Sequence, residues 1–205
     1  AVGFEALSAD TLGSESTAVG YQALATQNFT TATDTFNTAV GFRAGYDITT
    51  GNLNTLIGSY SGQNLTVGTE NVVLGRSALT TDTKGSKCVA IGSSALETQN
   101  FTTATDTFNT AVGFNAGKAV TTGIKNTIIG GLAGDQLADA DFNVAVGYGS
   151  LSTDDLGSKS TAVGTFALEA QNYATATDSH NTAVGYLAGG AVTTGIRNTL
   201  MGSEA

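Results

Sequence analysis

Sixteen residues, QNFTTATDTFNTAVGF, stand at 27–42 and again, letter for letter, at 99–114. A third version, QNYATATDSHNTAVGY, occupies 171–186. Verbatim repetition at a fixed interval constrains a fold more than composition does, because it makes successive segments copies of one stacking unit. Aligned on the glycine of Ala-Val-Gly, the units are headed by Gly3, Gly20, Gly41, Gly58, Gly75, Gly92, Gly113, Gly130, Gly147, Gly164, Gly185 and Gly202. Their spacings are 17, 21, 17, 17, 17, 21, 17, 17, 17, 21 and 17. Every fourth unit is the long one, so a 72-residue block overlies the short period. The duplicated sixteen residues belong to the long unit of each block.

The columns of this alignment read as strand. The residue before the glycine is large and aliphatic, as in Val19, Val40, Ile57, Leu74 and Met201. Two positions earlier stands Thr or Val, as in Thr17, Thr38, Thr55 and Val72. In an extended strand these two positions share a face, and both favour β-branched types. Recurrent Gly and Thr-Thr-Gly clusters disfavour helix. The position between them should be polar if its face met water, yet it holds Ala18, Ala39, Leu56, Val73 and their like. Both faces are therefore apolar. One fills the coil, and the other needs a cover that a second copy of the chain supplies. The expectation is a homo-oligomer with alanine-rich seams, the Thr column facing inward.

Other columns complete the unit. Three residues after the glycine stands Ala or Ser in all twelve units, marking a tight interior corner. The next position is only Leu or Gly, as in Leu24 and Gly45. Seven before the aligned glycine, short units place another glycine (Gly13, Gly51, Gly68, Gly85), with Ala140 the exception. A turn of positive φ is expected there. Long units put Asp34, Asp106 and Asp178 in that place, and their four extra residues should bulge outward as a loop. A 17-residue coil with two turns leaves two strands of about five residues, pairing in parallel at ~4.8 Å. The whole of 1–205 reads as one β-solenoid domain of twelve coils, a rod of about 55 Å at that spacing. The chain opens in mid-repeat, as a piece of a longer polypeptide would.

Composition narrows the partners. The net charge is −9 and charged residues are 12%. That balance argues against nucleic acid and anionic membrane, which need a basic footprint. One cysteine, Cys88, and one histidine, His180, form neither an internal disulfide nor a Cys/His metal signature. No apolar run reaches the roughly 18 residues of a membrane span, and no cofactor is expected.

The units NTAVGFRAG, STAVGYQAL, NTLIGSYSG and KCVAIGSSAL resemble the head repeat of YadA-like trimeric autotransporter adhesins and related bacteriophage tail-fibre repeats. The resemblance covers the whole chain. It implies a left-handed parallel β-roll, a homotrimeric fibre, and an extracellular adhesive role on a virion tail or bacterial surface. The partner it implies is a host cell-surface glycan or protein. The period departs from the family, whose head repeats are shorter, and the 21-residue unit is unusual.

Candidate chemistry is weighed against plain scaffolding. The column four before the glycine holds Asn37, Asn54, Asn71, Asn109, Asn126, Asn143, Asn181 and Asn198. Stacked side-chain amides of this kind form a ladder, so a structural role is expected. Cys88 sits in that column as a small substitute, and no nucleophile is expected. The acid pairs Asp139/Asp141 and Asp154/Asp155 test for a polysaccharide-cleaving spike, which uses two carboxylates. Neither pair is read as recurring in the other blocks, so both are expected to be solvated turn acids and the chain is not expected to be an enzyme. An ice-binding array is set aside because the Thr column is read as inward. The long units remain as receptor-contact loops: Gln27, Asn28, Phe29 and Phe36; Gln99, Asn100, Phe101 and Phe108; Gln171, Asn172 and Tyr173. The alternative for their aromatic rings is folding back onto the roll.

Overall fold

The computed structural model describes residues 1–205, without helix. The chain divides into two compact units, 1–107 and 108–205. Each is a parallel β-solenoid. In the first, the ladder runs β2 (Thr17–Val19), β4 (Thr38–Val40), β5 (Thr55–Ile57), β6 (Val72–Leu74) and β8 (Val89–Ile91). Short pairs flank it, β1 (Gly13–Ser14) with β3 (Thr33–Asp34) and β7 (Gly85–Ser86) with β9 (Thr105–Asp106). In the second unit the ladder is β10 (Thr110–Val112), β11 (Thr127–Ile129), β12 (Val144–Val146), β14 (Thr161–Val163), β16 (Thr182–Val184) and β17 (Thr199–Met201). Its flanking pair is β13 (Gly157–Ser158) with β15 (Thr177–Asp178). Register follows the sequence period: Ala18 faces Ala39, and Ala39 faces Leu56.

The strands are shorter than the five residues expected, three in the main ladder and two in the flanking pairs. Three left-handed corners per coil cut them. They fall two and four residues after the aligned glycine and five before it, as at Arg43 (φ +53°), Leu24 (φ +52°) and Phe36 (φ +50°). Non-glycine residues pay an enthalpic penalty of order 1 kcal/mol in that region, here offset by coil-to-coil bonds such as Leu24 N–H to Ala44 O at 3.0 Å. The aligned glycine is required for a different reason. At Gly41 φ is +142°, and a Cβ would stand 2.5 Å from the Gly58 carbonyl oxygen of the next coil.

The glycine seven places earlier corrects an expectation. Its φ is not positive. It is small because space is missing: a Cβ on Gly68 would lie 2.2 Å from Gly85 O, and one on Gly85 would lie 2.1 Å from an Asp82 carboxylate oxygen.

The orientation of the strand is also corrected. The middle residue points inward, and Ala18, Ala39, Leu56, Val73, Ala111 and Ile128 are fully buried. The Thr column and the aliphatic column beside it face outward. The interior is already filled by the corner residue and the residue three beyond it, leaving room for Ala where that corner is Leu. Two kinds of coil result. Leu coils carry Leu24, Leu79, Leu96, Leu151 or Leu168 at the corner, a buried Asp or Gln three residues on, and Ala in the strand. Gly coils carry Gly45, Gly62, Gly117, Gly134 or Gly189, followed by Ile48, Leu65, Val120, Leu137 or Val192. The invariant small residue, as in Ala23, Ala44 and Ser61, is fully buried in the tight corner.

The asparagine ladder holds, with mostly backbone partners. Asn37 Oδ1 accepts from Asn54 N–H at 2.9 Å, and Asn54 Oδ1 from Asn71 N–H at 3.0 Å. From Asn37 to Asn181 the amide Nδ2 donates to a carbonyl fourteen residues on, as Asn37 to Gly51 O at 2.8 Å and Asn143 to Gly157 O at 2.8 Å. The side chain thus satisfies main-chain groups at a corner where no strand partner is in place.

Candidate functional site

One carboxylate recurs per block, buried at Asp82 and Asp154 and half-buried at Asp10. Asp10, Asp82 and Asp154 stand 72 residues apart, each stacked on a glutamine of the following long coil. Gln27 Nε2 donates to Asp10 Oδ2 at 2.5 Å, Gln99 Nε2 to Asp82 Oδ2 at 2.6 Å, and Gln171 Nε2 to Asp154 Oδ2 at 2.5 Å. Asp82 Oδ1 also accepts from Gly85 N–H at 3.0 Å and Phe101 N–H at 3.2 Å. Desolvation holds the Asp82 and Asp154 carboxyls above their ordinary value, against the opposing pull of these hydrogen bonds. Beyond each glutamine the polar network continues inward. Gln27 Oε1 accepts from Asn37 Nδ2 at 2.8 Å, and Gln171 Oε1 from Asn181 Nδ2 at 2.8 Å. The hydroxyls of Ser160 and Ser179 bond each other, with Gln171 Nε2 donating to Ser160 Oγ at 2.9 Å.

This overturns the reading of Asp154 as a solvated turn acid. It is fully buried, and it recurs as Asp10 and Asp82, which a comparison at the 72-residue interval reveals. Asp139 is exposed and accepts from Thr122 Oγ1; Asp141 accepts from Ile124 N–H at 2.8 Å. Cys88 is buried, donates to Asn71 Oδ1 at 3.0 Å, and burial drives its thiol far above the usual range. A thiol so held is no nucleophile.

The long-unit residues separate into two sets. Gln27, Gln99 and Gln171 are fully buried, and Phe29, Phe101 and Tyr173 are 5 to 7% exposed. These six are interior groups, not surface contacts: the glutamines solvate the carboxylates, and the rings fold back. Tyr173 also donates its hydroxyl to Gly195 O at 2.7 Å. Asn28 and Asn172 are exposed and Asn100 is half-buried. Phe36 and Phe108 remain 53% and 51% exposed. What protrudes is 30–32, 102–104 and 174–176, small and threonine-rich.

The outward face of the ladders is the larger apolar feature. Val19, Val40, Ile57 and Leu74 are 36 to 46% exposed, one above the next. Just beyond the glycine, Phe4, Tyr21 and Phe42 stack at 5.4 and 5.1 Å between ring centroids, and Tyr60 meets Phe42 edge-on at 5.2 Å. The second unit has an aliphatic row of its own, with Ile129 and Val184 exposed, and there Tyr148 and Phe166 pair at 5.4 Å. The outward face is therefore valine- and isoleucine-rich, and the alanines expected at a seam lie inside the coil. No family model, no curated protein and no solved structure matches the chain.

Proposed function

We propose that the chain is a structural and adhesive fibre module, extracellular on a phage tail or bacterial surface, and assembled as a homotrimer through the outward face of its ladders. The observation carrying this reading is the aliphatic row, repeated at strand spacing and flanked by stacked rings. An apolar surface this continuous marks an interaction site, and a second copy presents the same row in the same period. The left-handed coil and the number three rest on the resemblance of the repeats. Light scattering on a sizing column tests it. The unchanged protein should have three times the chain mass, and Ile57→Lys with Ile129→Lys should yield folded monomers. A stable monomer of the unchanged sequence ends the reading. Deleting 30–32, 102–104 and 174–176 should leave the trimer folded and abolish attachment to cells; unchanged attachment assigns these loops to scaffold.

The outward Thr column favours one other reading, a flat ice-binding array. Thermal hysteresis in a freezing assay would support it, and none at high protein concentration would remove it.

A further inference from the structure

We propose that the second unit carries a binding track for a linear acidic polysaccharide, one with a carboxylate or sulfate on every second sugar. The proposal rests on the adhesive reading above and names its ligand class. The track is the column five residues before the aligned glycine: Phe108, Lys125, Phe142, Lys159, His180 and Arg197. Aromatic rings and cationic groups alternate strictly through these six positions.

Backbone bonds fix the column in register. Phe142 N–H donates to Ile124 O at 3.1 Å, Lys159 N–H to Asp141 O at 3.0 Å, and Arg197 N–H to Ser179 O at 2.7 Å. With coils ~4.8 Å apart, like groups recur every ~9.6 Å, about the length of a disaccharide. All six side chains are exposed. Lys125 Nζ stands 5.0 Å from the centre of the Phe142 ring, so ring and charge present themselves together. Asp178 takes one donor of Lys159 at 2.5 Å, leaving two of the three ammonium donors.

Conformation adds a second argument. All six residues are left-handed, with φ between +50° and +62°. Glycine or asparagine adopts that region at least cost, and the neighbouring Leu/Gly column uses glycine freely. This column holds neither, only large side chains. In the first unit the same column reads Glu15, Phe36, Leu53, Glu70 and Lys87, with two carboxylates and no alternation. It is an internal control. A net charge of −9 and one cation per ~9.6 Å suit a polymer of low charge density. Duplex nucleic acid carries a charge every ~1.7 Å.

Equilibrium binding of fluorescein-labelled hyaluronan oligosaccharides to the assembled protein tests the track, with dextran and oligothymidylate as comparators. Hyaluronan should bind, more weakly as salt rises, and the comparators should not. Lys125→Gln with Arg197→Gln should weaken binding roughly tenfold or more, since two charge-assisted contacts are lost. Phe142→Ala should also weaken it, and Glu70→Gln should leave it unchanged. No preference for hyaluronan over dextran, tighter binding of oligothymidylate, or an unaffected double variant overturns the proposal. So does a double variant that no longer assembles, because the column would then belong to the seam. Assembly and cell attachment without hyaluronan binding would remove the track and leave the fibre reading standing.

Discussion

Leu coils and Gly coils share one backbone and fill it in opposite ways. In a Leu coil the corner is large, the strand residue is Ala, and the third position carries Asp or Gln. In a Gly coil the corner is empty and an aliphatic side chain reaches into the space from three residues on. At Gly45 the fit is already complete, since a Cβ would sit 2.6 Å from Leu56 Cδ1 and 3.1 Å from Ile48 Cδ1. The comparison teaches that what repeats is the volume of a cross-section, distributed over three positions, and not any single residue. It also shows where a buried carboxylate is admitted: only in a Leu coil, where the amide of the next Leu coil answers it.

The sharpest way to break the contrast is Asp82→Ala. It takes an acceptor from Gln99 Nε2 and strands the Gly85 and Phe101 N–H groups inside a Leu coil, and should cost about 2 kcal/mol or more, at 1–3 kcal/mol per unsatisfied buried group. Urea unfolding reads it. Gly45→Ala attacks the other class by overpacking and should cost about 2 kcal/mol, with Gly45→Ala/Leu56→Ala recovering part of the loss. Titration separates the classes without mutation. The Asp82 and Asp154 carboxyls are raised in the folded chain above the ordinary value of 3.8 by desolvation. The folded state therefore holds these protons more tightly than the unfolded one. The resulting stabilisation is full below the ordinary value and is lost as pH rises through the raised one. Their contribution should make the urea midpoint fall over that rise, and Asp82→Asn with Asp154→Asn should flatten this part of the profile. The smallest effect belongs to the surface: Phe36→Ser, at an exposed ring, should shift the stability of a single chain by less than about 0.5 kcal/mol.

Much of this was legible in the sequence because stacking writes itself as period. The glycine that admits the next carbonyl, the small buried corner, and the asparagine column all follow from a constraint repeated in each coil. Which side of the strand faced inward was not legible. Alternation separates Ala39 from Thr38 and Val40 but does not say which set is enclosed; the volume of Leu24 and its equivalents decides that. The role of Gly68 was misread for a related reason, since crowding and positive φ both select glycine. Asp154 looked like a turn acid beside Asp155 because its partner, Gln171, lies a full coil away. Comparison with Asp82 and Gln99, one block earlier, carries the missing signal.

The stacked Asp and Gln also set a grammar for the length of the molecule. A buried carboxylate needs an amide at the same height on the coil that follows it, so coils are not interchangeable beads. Excising a Gly coil such as that of Gly62 would leave each carboxylate beside its amide, whereas excising the coil of Gln27 would set Asp10 against Ile48 and its aliphatic surroundings. A chain built this way can grow or shrink safely by the whole block, and the 72-residue copy is the smallest insertion that leaves every interior junction as it was.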